Sequence, residues 1–186
     1  MADRLNSFYW KVLVVRCQIG DCSAFEELVA ACQPRLRGFL FKLVGGLEAV
    51  DDLAQEVWVD VFHDLPRLAN PDAFLPWFYR IARNRAYRLF RRRGQTVESL
   101  DAQEMTVAEE EDPADEFTAE DAKAVHAALD RISPEHREVL LLRFMEDMSY
   151  DDIAAVVGCH VGTVKSRLHH AKQTLRAILE KTYDLR

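Results

Sequence analysis

The sequence predicts an all-α protein made of two small helical domains joined by an acidic flexible linker. Three observations carry that prediction. Glycine is scarce, at seven of 186 residues, while Leu, Ala, Glu and Arg, all good helix formers, are abundant. Apolar residues recur three and four positions apart along most of the chain, bracketed by helix-start signals. Between Glu98 and Asp121 there are eleven acids and no Lys or Arg, a like-charged block that disfavours a packed core. The parts are therefore residues 1–94, a linker at 95–117 and residues 118–186.

Composition narrows the function classes. The apolar and charged fractions, 49% and 30%, are those of an ordinary water-soluble domain. Phe8 to Val15 is too short to span a bilayer and is interrupted by Lys11, so a cytoplasmic protein that is not itself a membrane protein is expected. Cys17, Cys22, Cys32 and Cys159 form no CxxC pair; they read as small buried side chains in a reducing compartment, with no metal site and no cofactor. Taken alone, the formal charge of −7 disfavours a nucleic-acid partner. The eleven acids between Glu98 and Asp121 account for more than all of it, however, and leave the remainder at +4; local fields decide where phosphate binds.

A first helix is expected up to about Gly20, with Val12, Leu13, Val15 and Ile19 as core. Ser23 with Glu26 matches a capping box opening a helix through Phe25, Leu28, Val29 and Cys32. Pro34 either opens a further turn or kinks that helix; Leu36, Phe39, Leu40 and Leu43 continue the stripe until Gly45-Gly46 ends it. From about Glu48 to Leu65, Val50, Leu53, Ala54, Val57, Trp58, Val61, Phe62 and Leu65 form one broad stripe. Asp51, Asp52, Gln55, Glu56, Asp60 and Asp64 occupy the other face. No His, Cys or nucleophile accompanies them, so the residues alone predict solvated surface and no catalytic residue.

Pro66 stops that helix, and Asn70-Pro71 supplies a cap and a first-turn proline for the next. Residues 73–93 interleave Phe74, Trp77, Phe78, Tyr79, Tyr87 and Phe90 with Arg80, Arg83, Arg85, Arg88, Arg91, Arg92 and Arg93, without an acid. Arginines neutralise phosphates and aromatic faces stack on unpaired bases, so the mixture suits a single strand or a melted duplex. The alternative is that some rings are core and some arginines pair with the acidic face.

The second domain begins near Thr118, which with Asp121 is another capping-box match; Val125, Leu129 and Ile132 give its first stripe. Ser133-Pro134-Glu135 opens a helix carrying Val139, Leu140, Leu142, Arg143 and Phe144. Ser149 with Asp152 opens a short helix through Ile153, Ala154 and Val157 that Gly158 ends. After Cys159-His160-Val161 a longer helix buries Val164, Leu168, Ala171, Leu175 and Ile178. Its other face presents Ser166, His169, His170 and Gln173, flanked by Lys165, Arg167 and Lys172. A short turn and a donor-rich cationic second helix make a helix-turn-helix suited to a DNA major groove, where a plain helical hairpin would lack both features.

These stretches together resemble bacterial sigma factors of the extracytoplasmic-function group of the sigma-70 family. GDCSAFEEL, DDLAQEVWVDVFHDL and FLPWFYRIARNRAYRLFRRR are similar to sigma domain two; LDRISPEHREVLLLRFMEDMSYDDIAAVVGCHVGTVKSRLHHAKQTLR is similar to sigma domain four. The resemblance implies a subunit that binds core RNA polymerase, through the β′ clamp and β, and directs promoter-specific initiation without being an enzyme. It implies that Asp51, Asp52, Gln55 and Glu56 meet polymerase. Trp77, Arg80, Arg83, Asn84, Arg85, Tyr87, Arg88 and Arg91 would recognise and open the −10 promoter DNA. Thr163, Lys165, Ser166, Arg167, His169, His170, Lys172 and Gln173 would read the −35 element, with Lys165, Arg167 and Lys172 on phosphates. It further implies control by an anti-sigma factor, often membrane-anchored, and a monomer when free. Cys159-His160 in the turn and the His169-His170 pair depart from the family pattern, so the base preference at −35 does not carry over. A dimeric repressor or a nucleic-acid-cleaving enzyme is the competing class; the sequence offers neither a dimerisation helix nor a metal or nucleophile constellation.

Overall fold

The computed structural model describes residues 2–46, 48–94 and 127–183, and every regular element within them is helical. The linker, the Thr118–Asp121 cap and Val125 lie outside the described residues. The chain divides into two compact units.

In the first unit, α1 (Ala2–Gln18) buries Trp10, Leu13 and Val14. Val12, Val15 and Ile19, expected in the core, are exposed, Ile19 at 80%. The run from Trp10 to Val15 is apolar on both sides, so its period permits two stripes. The neighbours choose: Trp10 stacks on Phe74 at 6.2 Å, and Gln18 donates to the carbonyls of Leu65 and Leu68 at 3.1 and 2.8 Å.

The next helix, α2 (Cys22–Val44), is capped by Asp21 rather than by the expected Ser23–Glu26 box. The Asp21 carboxylate accepts from the Ala24 amide at 3.1 Å and from the Ser23 hydroxyl at 2.7 Å, while Arg16 donates to it at 2.9 Å. Those three donors hold its pKa down at about 2. Pro34 lies inside α2 without ending it. The helix stops at Gly45, in the left-handed region at φ 71°, whose N–H donates to the Phe41 carbonyl.

Against it packs α3 (Val50–Asp64), burying Val50, Leu53, Ala54, Val57 and Val61. Complete burial stabilises each larger side chain by roughly 1.5–3 kcal/mol. The stripe is narrower than the sequence predicts: Trp58 is half-buried, donating its indole N–H to Gln33, and Phe62 is 60% exposed. A 3-10 turn at Leu65–Arg67 contains Pro66, and a second at Pro71–Ala73 is capped by Asn70. That turn runs directly into α4 (Phe74–Arg92), whose Ala82 and Ala86 are fully buried.

The second unit contains α5 (Pro134–Phe144), most of α6 (Tyr150–Val157) and α7 (Val161–Tyr183). Both predicted caps form: the Ser133 hydroxyl accepts from the His136 amide, and the Ser149 hydroxyl from the Asp152 amide at 3.1 Å. Gly158, at φ 78°, ends α6 with its N–H on the Ala154 carbonyl at 2.8 Å. Three residues, 158–160, then turn the chain into α7, which packs along α5. Val164, Leu168 and Ala171 are buried, whereas Leu175 and Ile178 are half-buried.

Candidate functional site

The outer face of α3 follows from its period. With Val50, Leu53, Val57 and Val61 inward, Asp52, Gln55, Val59 and Phe62 fall together on the far side and all four are exposed. The predicted acids do not behave alike. Asp51 pairs with Arg37 and remains 65% exposed. Among the described residues Asp52 makes no ion pair. Glu56 and Asp60 both accept from Arg85 of α4. Val59 and Phe62, 51% and 60% exposed, extend the acidic face with apolar surface; the sequence pattern had placed Phe62 in the core. Its ring lies edge-on to Phe25 at 5.3 Å, which holds it at the rim.

On α4 the solvent stripe is Arg80, Asn84, Arg88 and Arg91, spaced four, four and three apart, with half-buried Trp77 at its start and exposed Arg92 and Arg93 at its end. These predicted nucleic-acid residues share one surface. Three others, Arg83, Tyr87 and Arg85, do not join it. Tyr87 is 6% exposed and packs on Phe90 at 5.6 Å, with the Arg83 guanidinium 4.2 Å above its ring. A ring so placed has no free face to stack on a base. Arg85 points the other way, donating through Nε to Asp60 at 2.6 Å and through Nη1 to Glu56 at 2.7 Å. The Asp60 hydrogen bonds raise its pKa further. The sequence could not separate Arg85 from its neighbours because pairing across helices leaves no local signature.

In the second unit, Lys165, His169, Lys172 and Gln173 lie on the side of α7 away from Val164 and Ala171, and Thr163 is half-buried in its first turn. Gln173 and His169 share a hydrogen bond at 2.9 Å. Lys165 and the Arg143 guanidinium approach the Tyr150 ring at 5.7 and 5.3 Å, and Lys172 approaches Phe144 at 5.3 Å. Tyr150 and Phe144 thus restrict where the two lysines point, and the sequence reading had given neither ring a functional role. Ser166 belongs to the outer stripe by period yet is 2% exposed, with its hydroxyl unpartnered among the described residues.

Arg167 departs from the phosphate role. It is 8% exposed and reaches Glu138 of α5, itself fully buried, at 4.0 Å. Residues 164, 167, 168 and 171 share one side of α7, so its position follows the buried stripe. His170 faces His136 of α5 at 6.5 Å. Burial first, then His170 and Arg167, push the His136 pKa down.

The cysteines are free, and Cys22 is exposed, contrary to the expectation of uniform burial. Among the described residues, no three or more His, Cys, Asp and Glu side chains are placed to hold a metal ion, and no helix is long and apolar enough to cross a membrane.

Two family models match the chain, sigma-70 region 2 over residues 28–96 and sigma-70 region 4 over residues 122–175. The RNA polymerase sigma-H factor of Pseudomonas aeruginosa is 32% identical, over 90% of this chain and 92% of that one. The ECF RNA polymerase sigma factor EcfG of Rhodopseudomonas palustris is 35% identical, over 84% and 85%. Among solved structures, CnrH in complex with the cytosolic domain of CnrY superposes with a TM-score of 0.70 at 26% identity, covering 93% of this chain and 98% of that one. The sigma factor RpoE of Bartonella quintana, in complex with the anti-sigma factor NepR, gives 0.64 at 27%, covering 84% and 96%.

Proposed function

This chain belongs to the extracytoplasmic-function group of RNA polymerase sigma factors, and from that premise we propose that α3 docks on core polymerase, α4 opens the −10 DNA and α7 reads the −35 element. Binding to core polymerase and promoter-specific initiation are the family's activity, and such a subunit catalyses no covalent step itself. The working parts are residues 1–94 for docking and melting, a tether at 95–117, and residues 118–186 for the −35 contact.

The observation that carries the docking assignment is the exposed face of α3. Asp52 and Gln55 stand open to solvent, Glu56 is 44% exposed, and Val59 and Phe62 continue the same surface. Acids beside exposed apolar side chains fit a partner with basic residues near one end of the contact and apolar ones near the other, as expected of the β′ clamp. On α4 the stripe from Trp77 through Arg80, Asn84, Arg88 and Arg91 supplies phosphate contacts and one half-buried ring for a melted strand. On α7, Lys165 and Lys172 hold phosphates while His169 and Gln173 face base edges; Ser166, buried at 2% exposure, and His170, turned toward His136, stand back from that surface.

The solved complexes of CnrH with CnrY and of RpoE with NepR support control by an anti-sigma factor. In this reading the regulator is membrane-anchored, reports an envelope or stress signal, and holds a cytoplasmic sigma factor that is a monomer when released.

Charge reversal tests the docking assignment. The double substitution Asp52→Lys, Glu56→Lys is expected to abolish competition for core polymerase while helical circular dichroism stays unchanged. Wild-type competition by this variant would overturn the role of α3. Transcription from genomic DNA with purified core, followed by mapping of RNA 5′ ends, then yields starts sharing two spaced upstream motifs.

A further inference from the structure

Arg85 sits in the most arginine-rich stretch of the chain, yet its side chain is only 21% exposed and both ends of its fork are occupied. Nε and Nη2 donate to the two carboxylate oxygens of Asp60, and Nη1 donates to Glu56 Oε2 at 2.7 Å. Glu56 and Asp60 are one helical turn apart on α3, so one guanidinium bridges two acids of one helix from its neighbour. A planar fork with several fixed donors can hold one carboxylate bidentately and a second alongside it; a lysine ammonium, a point charge, has no such fork.

We infer that Arg85 is a positioning residue for polymerase docking, holding the Glu56 carboxylate in place on the outer face of α3 through a three-residue clamp with Asp60. This rests on the assignment of α3 as the docking helix. Glu56 is long and 44% exposed, and a free glutamate would have to lose rotamer freedom when the partner binds. The clamp removes that freedom beforehand. It also offsets part of the repulsion between Glu56 and Asp60, and it ties the docking helix to α4, so that the two move together. Arg85 therefore takes no part in holding DNA, although its neighbours Arg80 and Arg88 do.

The test uses the full-length chain, titrated against bacterial core polymerase and, separately, against a single-stranded DNA oligonucleotide over a range of salt. Arg85→Gln and Asp60→Asn are each expected to weaken core binding by about three- to tenfold, in the range of a partly exposed charged network. The double variant should be no weaker than the worse single one, because both remove the same clamp. Arg85→Lys should recover only part of the affinity. The slope of DNA affinity against salt should stay at its wild-type value in every variant.

Two results overturn the inference. One is core affinity unchanged in Arg85→Gln; the other is a fall in the DNA salt slope of about 0.7, the signature of one lost single-strand phosphate contact. Should Arg85→Gln fail to fold by circular dichroism, Asp60→Asn and Arg85→Lys carry the same comparison. The Asp52→Lys, Glu56→Lys variant separates the two ideas. If it loses core binding while the clamp variants do not, the clamp alone is wrong; if it binds normally, the docking assignment falls and the clamp's role with it.

Discussion

Arg167 and Arg85 are both arginines in basic stretches of the helices proposed to face nucleic acid, and both turn inward to meet acids. Burial decides what their loss would do. Arg167 lies 4.0 Å from Glu138, which is fully buried, so Arg167→Met removes a cation from beside an interior carboxylate. Stability in urea should fall by about 3 kcal/mol, with no loss of salt slope in DNA binding. Arg167→Met combined with Glu138→Leu should recover most of the stability; failure to recover would mean that the pair does not hold α5 to α7. His136 gives a pH dependence. Its folded pKa lies below the ordinary 6.5, so above pH 6.5 it is neutral in both states and stability is full. As pH falls through that window the unfolded chain takes up the proton first, and stability drops. His136→Gln should flatten the dependence of Tm on pH just below 6.5; an unchanged slope would exonerate this residue.

At the scale of elements, the helix ends were the most legible feature. Ser133, Ser149, Asn70, Gly45 and Gly158 all act where local chemistry places them, because a cap needs only its own few residues. Asp21 displaced the Ser23 cap because Arg16, five residues earlier, braces it. Gly158 sets the turn of the helix-turn-helix. A Cβ there would meet nothing within 4 Å, so Gly158→Ala is penalised only by its left-handed backbone, at about 1 kcal/mol. Gly158→Asn should cost less. Equal urea midpoints for alanine and asparagine would show that the turn relaxes instead. Which face of a helix is buried was less legible: α1 carried two possible stripes, and α3 proved narrower at Phe62.

At the scale of the molecule, charge segregation is the dominant pattern. The eleven acids from Glu98 to Asp121 reverse the sign of an otherwise cationic chain, and screening confines their field to about 10 Å at 0.1 M salt. Replacing all eleven with Ser or Gln should strengthen nonspecific DNA binding at low salt and leave it little changed at high salt; equal affinity at low salt would show that the acids do not shape the field at the DNA surfaces. The sequence by itself determined the all-α class, most of the helix ends and the family, since each depends on neighbouring residues or on motifs read along the chain. Only the tertiary structure decided that Trp10 rather than Val12 is core, that Phe62 is surface, that Tyr87 has no free face, and that Arg85 and Arg167 serve acids instead of phosphates. A helical period says in which direction a side chain leaves its own axis; what stands opposite is supplied by another helix, distant in sequence.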